Sequence, residues 1–365
     1  MCMSNELGHR YRVQIFGQSH SPSIGVVVEG IPAGIVPDMD FIQRFMARRA
    51  PGGALSTKRK EADIPQIIAG LNERGETCGA SLCAVISNTD TRSWDYDNLR
   101  DIPRPGHSDY TAWVKFGGHN DIRGGGQFSG RLTAPLCFAG ALAMQLLNSK
   151  GIQVRARIQR IAGISDTPVD FAHPPMDAIP DKGLACIDPD AATRMAAAIE
   201  QARMDCDSVG GVIECFATGL PAGLGDPMFD GMENRLAAAL FGIPAVRGVE
   251  FGEGFAAADM RGSAHNDAFR MDEAGNVHTA SNRHGGILGG ITSGMPLVVR
   301  TAIKPTASIA REQASVSLSR HENAVLRVHG RHDPCIVPRA VPCVEAAVAC
   351  VILDIMNESG VNQWT

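Results

Sequence analysis

None of the ten cysteines is spaced from another as Cys-x-x-Cys, which leaves no zinc framework or thioredoxin-like motif to read. The closest spacings are Cys78 with Cys83 and Cys343 with Cys350. Cys83, Cys137, Cys215 and Cys350 lie in apolar runs. They read as reduced core thiols of a cytosolic protein. No signal peptide is visible at the N-terminus, which agrees with a cytoplasmic location. No apolar run reaches the ~18 residues of a membrane span. The longest, 135–147 and 340–355, read as buried helices, and the second carries Glu345 and Asp354. The formal charge is -5, so there is no global basic field to favour nucleic acid, and any anionic ligand needs a local cluster of Arg and Lys. Neither a G-x-G-x-x-G dinucleotide fingerprint nor a P-loop is present. No low-complexity linker divides the chain.

What is present is globular. Apolar residues make up 44% of the 365 and charged residues 20%, enough for a sizeable core. The 40 glycines imply many tight turns and close backbone approaches. Helical patterns follow Thr133 as far as Gly151, then cover about 190–204, 228–241 and 338–356. The first and last are apolar nearly all round and must be covered on every side. Strand-like runs cover 25–28, 82–87, 212–217 and 297–303. Residues 168–190, rich in Pro and Asp, read as a surface excursion.

Segments recur in the same order. Gly30-Ile31-Pro32-Ala33-Gly34-Ile35 returns as Gly219-Leu220-Pro221-Ala222-Gly223-Leu224. Thr77-Cys78-Gly79-Ala80-Ser81-Leu82 returns as Thr292-Ser293-Gly294-Met295-Pro296-Leu297. Arg131-Leu132-Thr133-Ala134-Pro135 loosely returns as Pro338-Arg339-Ala340-Val341-Pro342, opening the other apolar helix. Insertions separate the matches. The expected architecture is a single-core α+β sandwich with a pseudo-two-fold repeat. Its two similar halves, about 10–150 and 205–357, pack their apolar helices centrally between antiparallel sheets. Strict strand–helix alternation is absent, which argues against a doubly wound sheet.

Six constellations could carry chemistry. Gly17-Gln18-Ser19-His20-Ser21 precedes a strand; its Ser-x-His suits acid–base work or phosphate, though a turn with a hydrogen-bonded His explains it too. Arg104-Pro105-Gly106-His107-Ser108-Asp109 places a His at a turn with an Asp near enough to select its tautomer, unless it is only a capped turn. Residues 123–131 expose glycine N–H groups and end at a helix N-terminus, with Ser129 and Arg131 as anion donors. Residues 284–290 let a flat ring or a phosphate approach the backbone, with Lys304, Thr306 and Ser308 as further ligands, or form a plain glycine hairpin. Residues 330–335, with Arg339 beyond, combine Arg, His and Asp where a surface ion pair is the bland alternative. Arg48-Arg49 and Lys58-Arg59-Lys60 form a basic run, either a solvated face or a loop closing over an anion.

In order and wording these segments resemble the chorismate synthase family. That family is marked by Gly-Glu-Ser-His-Gly, Arg-Pro-Gly-His-Ala-Asp, Gly-Gly-Gly-Arg-x-Ser-x-Arg, Asn-x-x-Gly-Gly-Ile-x-Gly-Gly-Ile, Lys-Pro-Thr-x-Ser and Arg-His-Asp-Pro-Cys. The counterparts here are 17–21, 104–109, 124–131, 282–291, 304–308 and 331–335, with further matches at 220–229 and 243–255. The resemblance implies conversion of 5-enolpyruvylshikimate 3-phosphate to chorismate and phosphate, with reduced FMN and no net redox change. It also implies a homotetramer of β-α-β sandwich subunits, no membrane or nucleic-acid partner, and an external flavin reductase or reductant.

By position, His20 would protonate the leaving phosphate, His107 would protonate or stabilise the reduced flavin, and Asp333 would act with the flavin in removing the ring proton. Arg48, Arg49, Arg104, Ser129, Arg131 and Arg339 would hold the substrate. Gln127, Phe128, Ser129, Pro244, Ala245, Gly289, Lys304, Pro305, Thr306, Ala307, Ser308 and Arg331 would line the flavin. The sequence departs from the family at Gln18, Ser21, Gln127, Phe128, Leu55 and Leu132. These departures imply an altered flavin grip and weaker NADPH binding, which some members achieve through the basic loop. Two rival readings are a flavin-binding paralogue without lyase activity and a transferase using the glycine-rich loops for a nucleotide.

Overall fold

The computed structural model describes residues 5–50, 63–89, 99–181, 183–328 and 333–359. The chain opens with β1 (Glu6–Leu7), β2 (Arg12–Gly17) and β3 (Ser23–Glu29), followed by α1 (Met39–Arg49). Next come β4 (Gln66–Ala69), β5 (Leu82–Ser87), α2 (Asp109–Phe116) and α3 (Thr133–Asn148). Beyond α3 run β6 (Gln153–Ile161), β7 (Ile164–Ser165), α4 (Pro189–Met204), β8 (Gly211–Thr218), α5 (Met232–Phe241) and β9 (Val246–Phe251). A one-turn helix α6 (Gly262–His265) precedes two short hairpins, β10 (Phe269–Met271) with β11 (Val277–Thr279) and β12 (Ile287–Leu288) with β13 (Ile291–Thr292). β14 (Leu297–Ile303), the hairpin of β15 (Glu312–Ser317) and β16 (Glu322–Arg327), and α7 (Val337–Glu358) complete the chain.

Two five-stranded antiparallel sheets result, ordered β1-β2-β3-β5-β4 and β7-β6-β8-β14-β9. Without the short edge strands they share one topology, since β2-β3-β5-β4 corresponds to β6-β8-β14-β9. In each half a helix, α1 or α5, follows the second strand, and an apolar helix, α3 or α7, follows the last. The correspondence extends to single hydrogen bonds. Gly34 N donates to Thr77 O (2.8 Å), and Gly223 N to Thr292 O (2.9 Å). Thr77 Oγ1 donates to Pro32 O (2.6 Å) and accepts from Ile35 N (2.9 Å). Thr292 Oγ1 donates to Pro221 O (2.7 Å) and accepts from Leu224 N (2.9 Å). Gly30 and Gly219 have φ of 81° and 80°. A Cβ on either would meet a carbonyl oxygen, of Arg10 at 1.7 Å or Gly151 at 2.3 Å. Glycine is therefore required at both for one geometric reason.

The helices form the middle layer. α3 packs on β3, α7 on β6 and β8, and the two cross each other, with α1 and α5 alongside. Both central helices are long and apolar enough to cross a membrane by composition, yet 83% and 89% of their apolar windows are buried in the protein. At the crossing, a Cβ on Gly140 would lie 2.3 Å from Ala346 Cβ and 2.4 Å from its Cα. Gly→Ala inside a helix ordinarily gains up to about 1 kcal/mol. Here backbone meets backbone and the sign inverts. Gly140→Ala is expected to destabilise the protein by about 1–3 kcal/mol through overpacking. A lowered denaturation midpoint checks this, and an unchanged or raised midpoint contradicts it.

Candidate active site

One cavity of about 730 Å³ is lined from both halves. The first half supplies Arg49 at the end of α1, the turn at 104–108 and the glycine-rich run leading into α3. The second supplies the loop between α5 and β9, residues 304–308 after β14, and the start of α7. Among the described lining residues are six cationic side chains (Arg49, Arg104, Arg131, Arg247, Lys304, Arg339) and one carboxylate, Asp333. A chain of formal charge -5 thus focuses positive charge in one cleft.

The glycine-rich run is wedged between two histidines. Gly124, Gly125 and Gly126 have φ of 60°, 84° and 55°. A Cβ on Gly124 would fall 2.3 Å from His20 Cε1 and 2.4 Å from Ser19 Oγ, and one on Gly125 would fall 3.3 Å from His107 Nε2. Ser19 N donates to Gly126 O (3.1 Å), tying the His20 loop to this run. Gln18 and Ser21, two departures from the family pattern, close their own turn. Ser21 Oγ accepts from Gln18 N (3.0 Å) and lies within hydrogen-bonding reach of Gln18 O (2.8 Å).

Around the cavity, buried carboxylates hold the arginines. Arg104 donates to Asp109 from its backbone N–H (3.0 Å), Nε (2.7 Å) and Nη2 (2.7 Å), and reaches across to Ser308 Oγ with Nη1 (3.0 Å). Lys304 Nζ donates to Gly106 O, a second link between the halves. Arg339 pairs with Asp333 and donates to Arg49 O (2.9 Å). Asp63 bridges Arg49 and Arg131 with one oxygen each. Burial would raise the Asp63 carboxyl, but the two guanidiniums outweigh it and hold the group below the ordinary carboxylate range. Arg131 Nε also donates to Asn88 Oδ1 (2.9 Å). Sequence reasoning missed Asp63. Its only signal was an acid closing the basic stretch of Lys58-Arg59-Lys60.

His107 Nδ1 lies 2.6 Å from Asp109 Oδ1 and 3.1 Å from Arg104 Nη2, which fixes the ring and turns Nε2 toward Gly125. Burial lowers the His107 pKa, Arg104 and Lys304 lower it further, and Asp109 only partly offsets them. Burial likewise works against ionised Asp109, yet hydrogen bonds from Arg104 and His107 keep its carboxyl well below the usual range. An NMR titration of His107 is expected to give a midpoint below the ordinary value of about 6.5. Asp109→Asn removes the one interaction that raises it, so the midpoint should fall further. A midpoint at or above the ordinary value contradicts this electrostatic picture.

The cavity brings together most of the residues singled out in the sequence. His107, Asp333, Arg49, Arg104, Arg131, Arg339, Gln127, Phe128, Ser129, Pro244, Ala245, Lys304, Pro305, Thr306, Ala307 and Ser308 all line it. Three are placed elsewhere. His20 stands behind Gly124 instead of on the wall. Arg48 turns into the core to pair with buried Glu345, whose Oε1 also accepts from Ala156 N (2.8 Å). The buried acid on α7 captures it, so Arg49 alone of the basic pair faces the cavity. Gly289 lies at the tip of the β12–β13 hairpin and is not among the residues lining this cavity. Arg331 and Leu55 fall outside the described residues.

The walls suit a flat ring carrying a phosphate. Phe128, Ile243, Pro244 and Ile336 are apolar, while Ser129, Thr306 and Ser308 bring hydroxyls. Thr306 Oγ1 is buried without a hydrogen-bond partner among the described residues, an acceptor or donor left for a ligand. Ala245 holds φ of 76°, a left-handed conformation rare for a residue with a Cβ, and its carbonyl accepts from Lys304 N (2.9 Å). Strain of this kind concentrates at ligand sites.

The family model for chorismate synthase matches residues 11–356. The chain is 46% identical over 341 residues to the chorismate synthase of Thermococcus kodakarensis, covering 93% of this chain and 94% of that protein. It is 42% identical over 365 residues to that of Lancefieldella parvula, covering 96% of each. A crystal structure of chorismate synthase superposes with a TM-score of 0.76 at 26% identity, covering 96% of this chain and 93% of that one.

Proposed function

Because the chain belongs to the chorismate synthase family, we propose that it eliminates phosphate from 5-enolpyruvylshikimate 3-phosphate in a 1,4 sense to give chorismate, with reduced FMN bound in the cavity. This makes it a carbon–oxygen lyase acting on phosphates, in the shikimate pathway. The observation that carries the reading is the convergence of six cations with His107 and Asp333 on one cavity. The substrate has two carboxylates and a phosphate, and Arg49, Arg104, Arg131 and Arg339 offer planar forks matched to such groups.

Each residue has a part. The arginines bind and orient the three anionic groups, converting a search among geometries into one fixed approach. Asp333, held in place by Arg339, takes the ring proton on its carboxylate. His20 would supply a proton to the departing phosphate, whose expulsion is costly while fully ionised, but from behind Gly124 it reaches the cavity only if the glycine-rich run gives way. Burial and the nearby Arg104 and Lys304 favour the neutral form of His107, whose Nε2 faces the glycine-rich run and can exchange a proton there. Ser129, Thr306 and Ser308 would hold the flavin phosphate or ring edge, and Pro244, Ala245 and Phe128 would flank the ring. When bound, reduced flavin supplies transient electron density to the allylic system and recovers it, so no net redox change results. Lys304 and the arginines lower the cost of negative charge in the site as the phosphate departs.

The same reading expects a homotetramer of single-domain subunits with two similar halves, a cytoplasmic setting and an external reductant for the flavin. Its cofactor half is tested by fluorescence titration of FMN against the wild type and Thr306→Val. Saturable binding weakened in the variant supports it. No binding to the folded wild type refutes the assignment of FMN to this cavity.

A further inference from the structure

Two thiols meet beneath the cavity. Cys343, in the second turn of α7, is one of its lining residues. Cys137, on α3, stands directly behind, with the two Sγ atoms 3.9 Å apart. Both are almost fully buried, Cys343 at 3% exposure and Cys137 at 0%, so only what enters the cavity can reach them. The pair is chemically unequal. The contact with Cys137 lowers the Cys343 pKa most; burial opposes it, but Arg49, Thr133 and Arg339 reinforce it, and the value falls to about 7. Cys137 moves the opposite way, pushed well up by burial and by Cys343 beside it. Cys343 borders the cavity and Cys137 lies behind it at 3.9 Å, so an oxidant entering the cavity meets Cys343 first, the order of an attacking and a resolving cysteine.

We propose that Cys343 and Cys137 form a peroxide-reactive dithiol at the floor of the cavity, with Cys343 as the attacking sulfur and Cys137 as the resolving one. The co-reactant is a small hydroperoxide, for which hydrogen peroxide is the probe. Cys343 thiolate attacks one peroxide oxygen; the S–O bond forms, the O–O bond breaks, and the departing hydroxide takes a proton to become water. Cys137 then loses its proton and attacks the Cys343 sulfenic acid; the S–S bond forms, the S–O bond breaks, and a second water leaves. The two thiols are together oxidised by two electrons, and the peroxide is reduced to two waters. Closure requires the sulfurs to approach from 3.9 Å to about 2.05 Å. The proposal goes beyond the lyase reading and does not depend on it.

The test treats the full-length protein with hydrogen peroxide, alkylates the remaining thiols after denaturation, and maps peptides without reduction. Exposed Cys78 and Cys206 serve as internal references. The expected result is joint loss of the Cys137 and Cys343 thiols into one cross-linked peptide pair, ahead of the other cysteines and reversed by dithiothreitol. In Cys137→Ser, Cys343 should accumulate as a sulfenic acid trapped by a dimedone probe, while in Cys343→Ser, Cys137 should stay a thiol. Should either variant fail to fold, phenylarsine oxide on the native wild type gives a second readout, since it bridges two accessible adjacent thiols. Oxidation of Cys78 and Cys206 while Cys137 and Cys343 remain fully alkylatable, or no arsenical bridge between them, overturns the proposal.

Discussion

Asp333→Asn is expected to slow chorismate formation by about 10²–10⁴-fold, the range that general acid–base catalysis supplies. Asparagine keeps the shape of the side chain and can still accept a hydrogen bond from Arg339. It cannot take up a proton. Arg339 is also anchored on Arg49 O, so its position does not rest on the carboxylate alone. Substrate affinity and the denaturation midpoint should therefore change little while the rate collapses. Single-turnover kinetics with reduced flavin, alongside equilibrium binding of the substrate, separate the two. A near-wild-type rate would remove Asp333 from the chemistry, and a loss confined to affinity would make it a binding group.

Asp63→Asn is expected to cost about 3–5 kcal/mol of stability, because it breaks a buried charge cluster and leaves two guanidiniums facing each other. Arg49, Arg131 and Asp63 are all buried. The exposed Arg203–Glu200 pair on α4 is the contrast, where solvent screens the charges and Glu200→Gln should change stability far less. The Asp63 pKa is lowered in the folded state, so its contribution is fully present above the unfolded carboxyl pKa of about 3.9 and is lost as pH falls through the folded value. The difference in stability between wild type and Asp63→Asn should accordingly hold at neutral pH and shrink in acid. Urea titrations at several pH values measure this. Equal stability of the two proteins at neutral pH would show that Asp63 does not hold the arginines.

The central helices were legible because nothing else explains runs of apolar residues on every face, and their burial follows. The repeat was legible at Gly30 and Gly219, where a left-handed turn admits almost no other residue. Other elements were hidden by polar residues placed for tertiary reasons. β6 reads QVRARIQRI, and its Arg157 looks solvent-facing until Asp166 and Glu214 meet it in the core at 2.8 Å each. α1 ends in the basic pair that suggested a surface loop. Yet Glu345, far away in sequence, draws Arg48 inward while Asp63 takes Arg49. Such pairings are contacts between distant segments, and no local pattern announces them. The site was legible where glycines and histidines occur together, and illegible where one buried acid sorts the arginines.

The most direct test of the central claim is an anaerobic assay of the purified protein with 5-enolpyruvylshikimate 3-phosphate and dithionite-reduced FMN, following chorismate by absorbance. Chorismate should form with reduced FMN and not with oxidised FMN. A folded, flavin-binding protein that yields no chorismate under these conditions would contradict the lyase reading, leave a flavin-binding relative without that activity, and make Gln127 and Phe128 the first positions to revert.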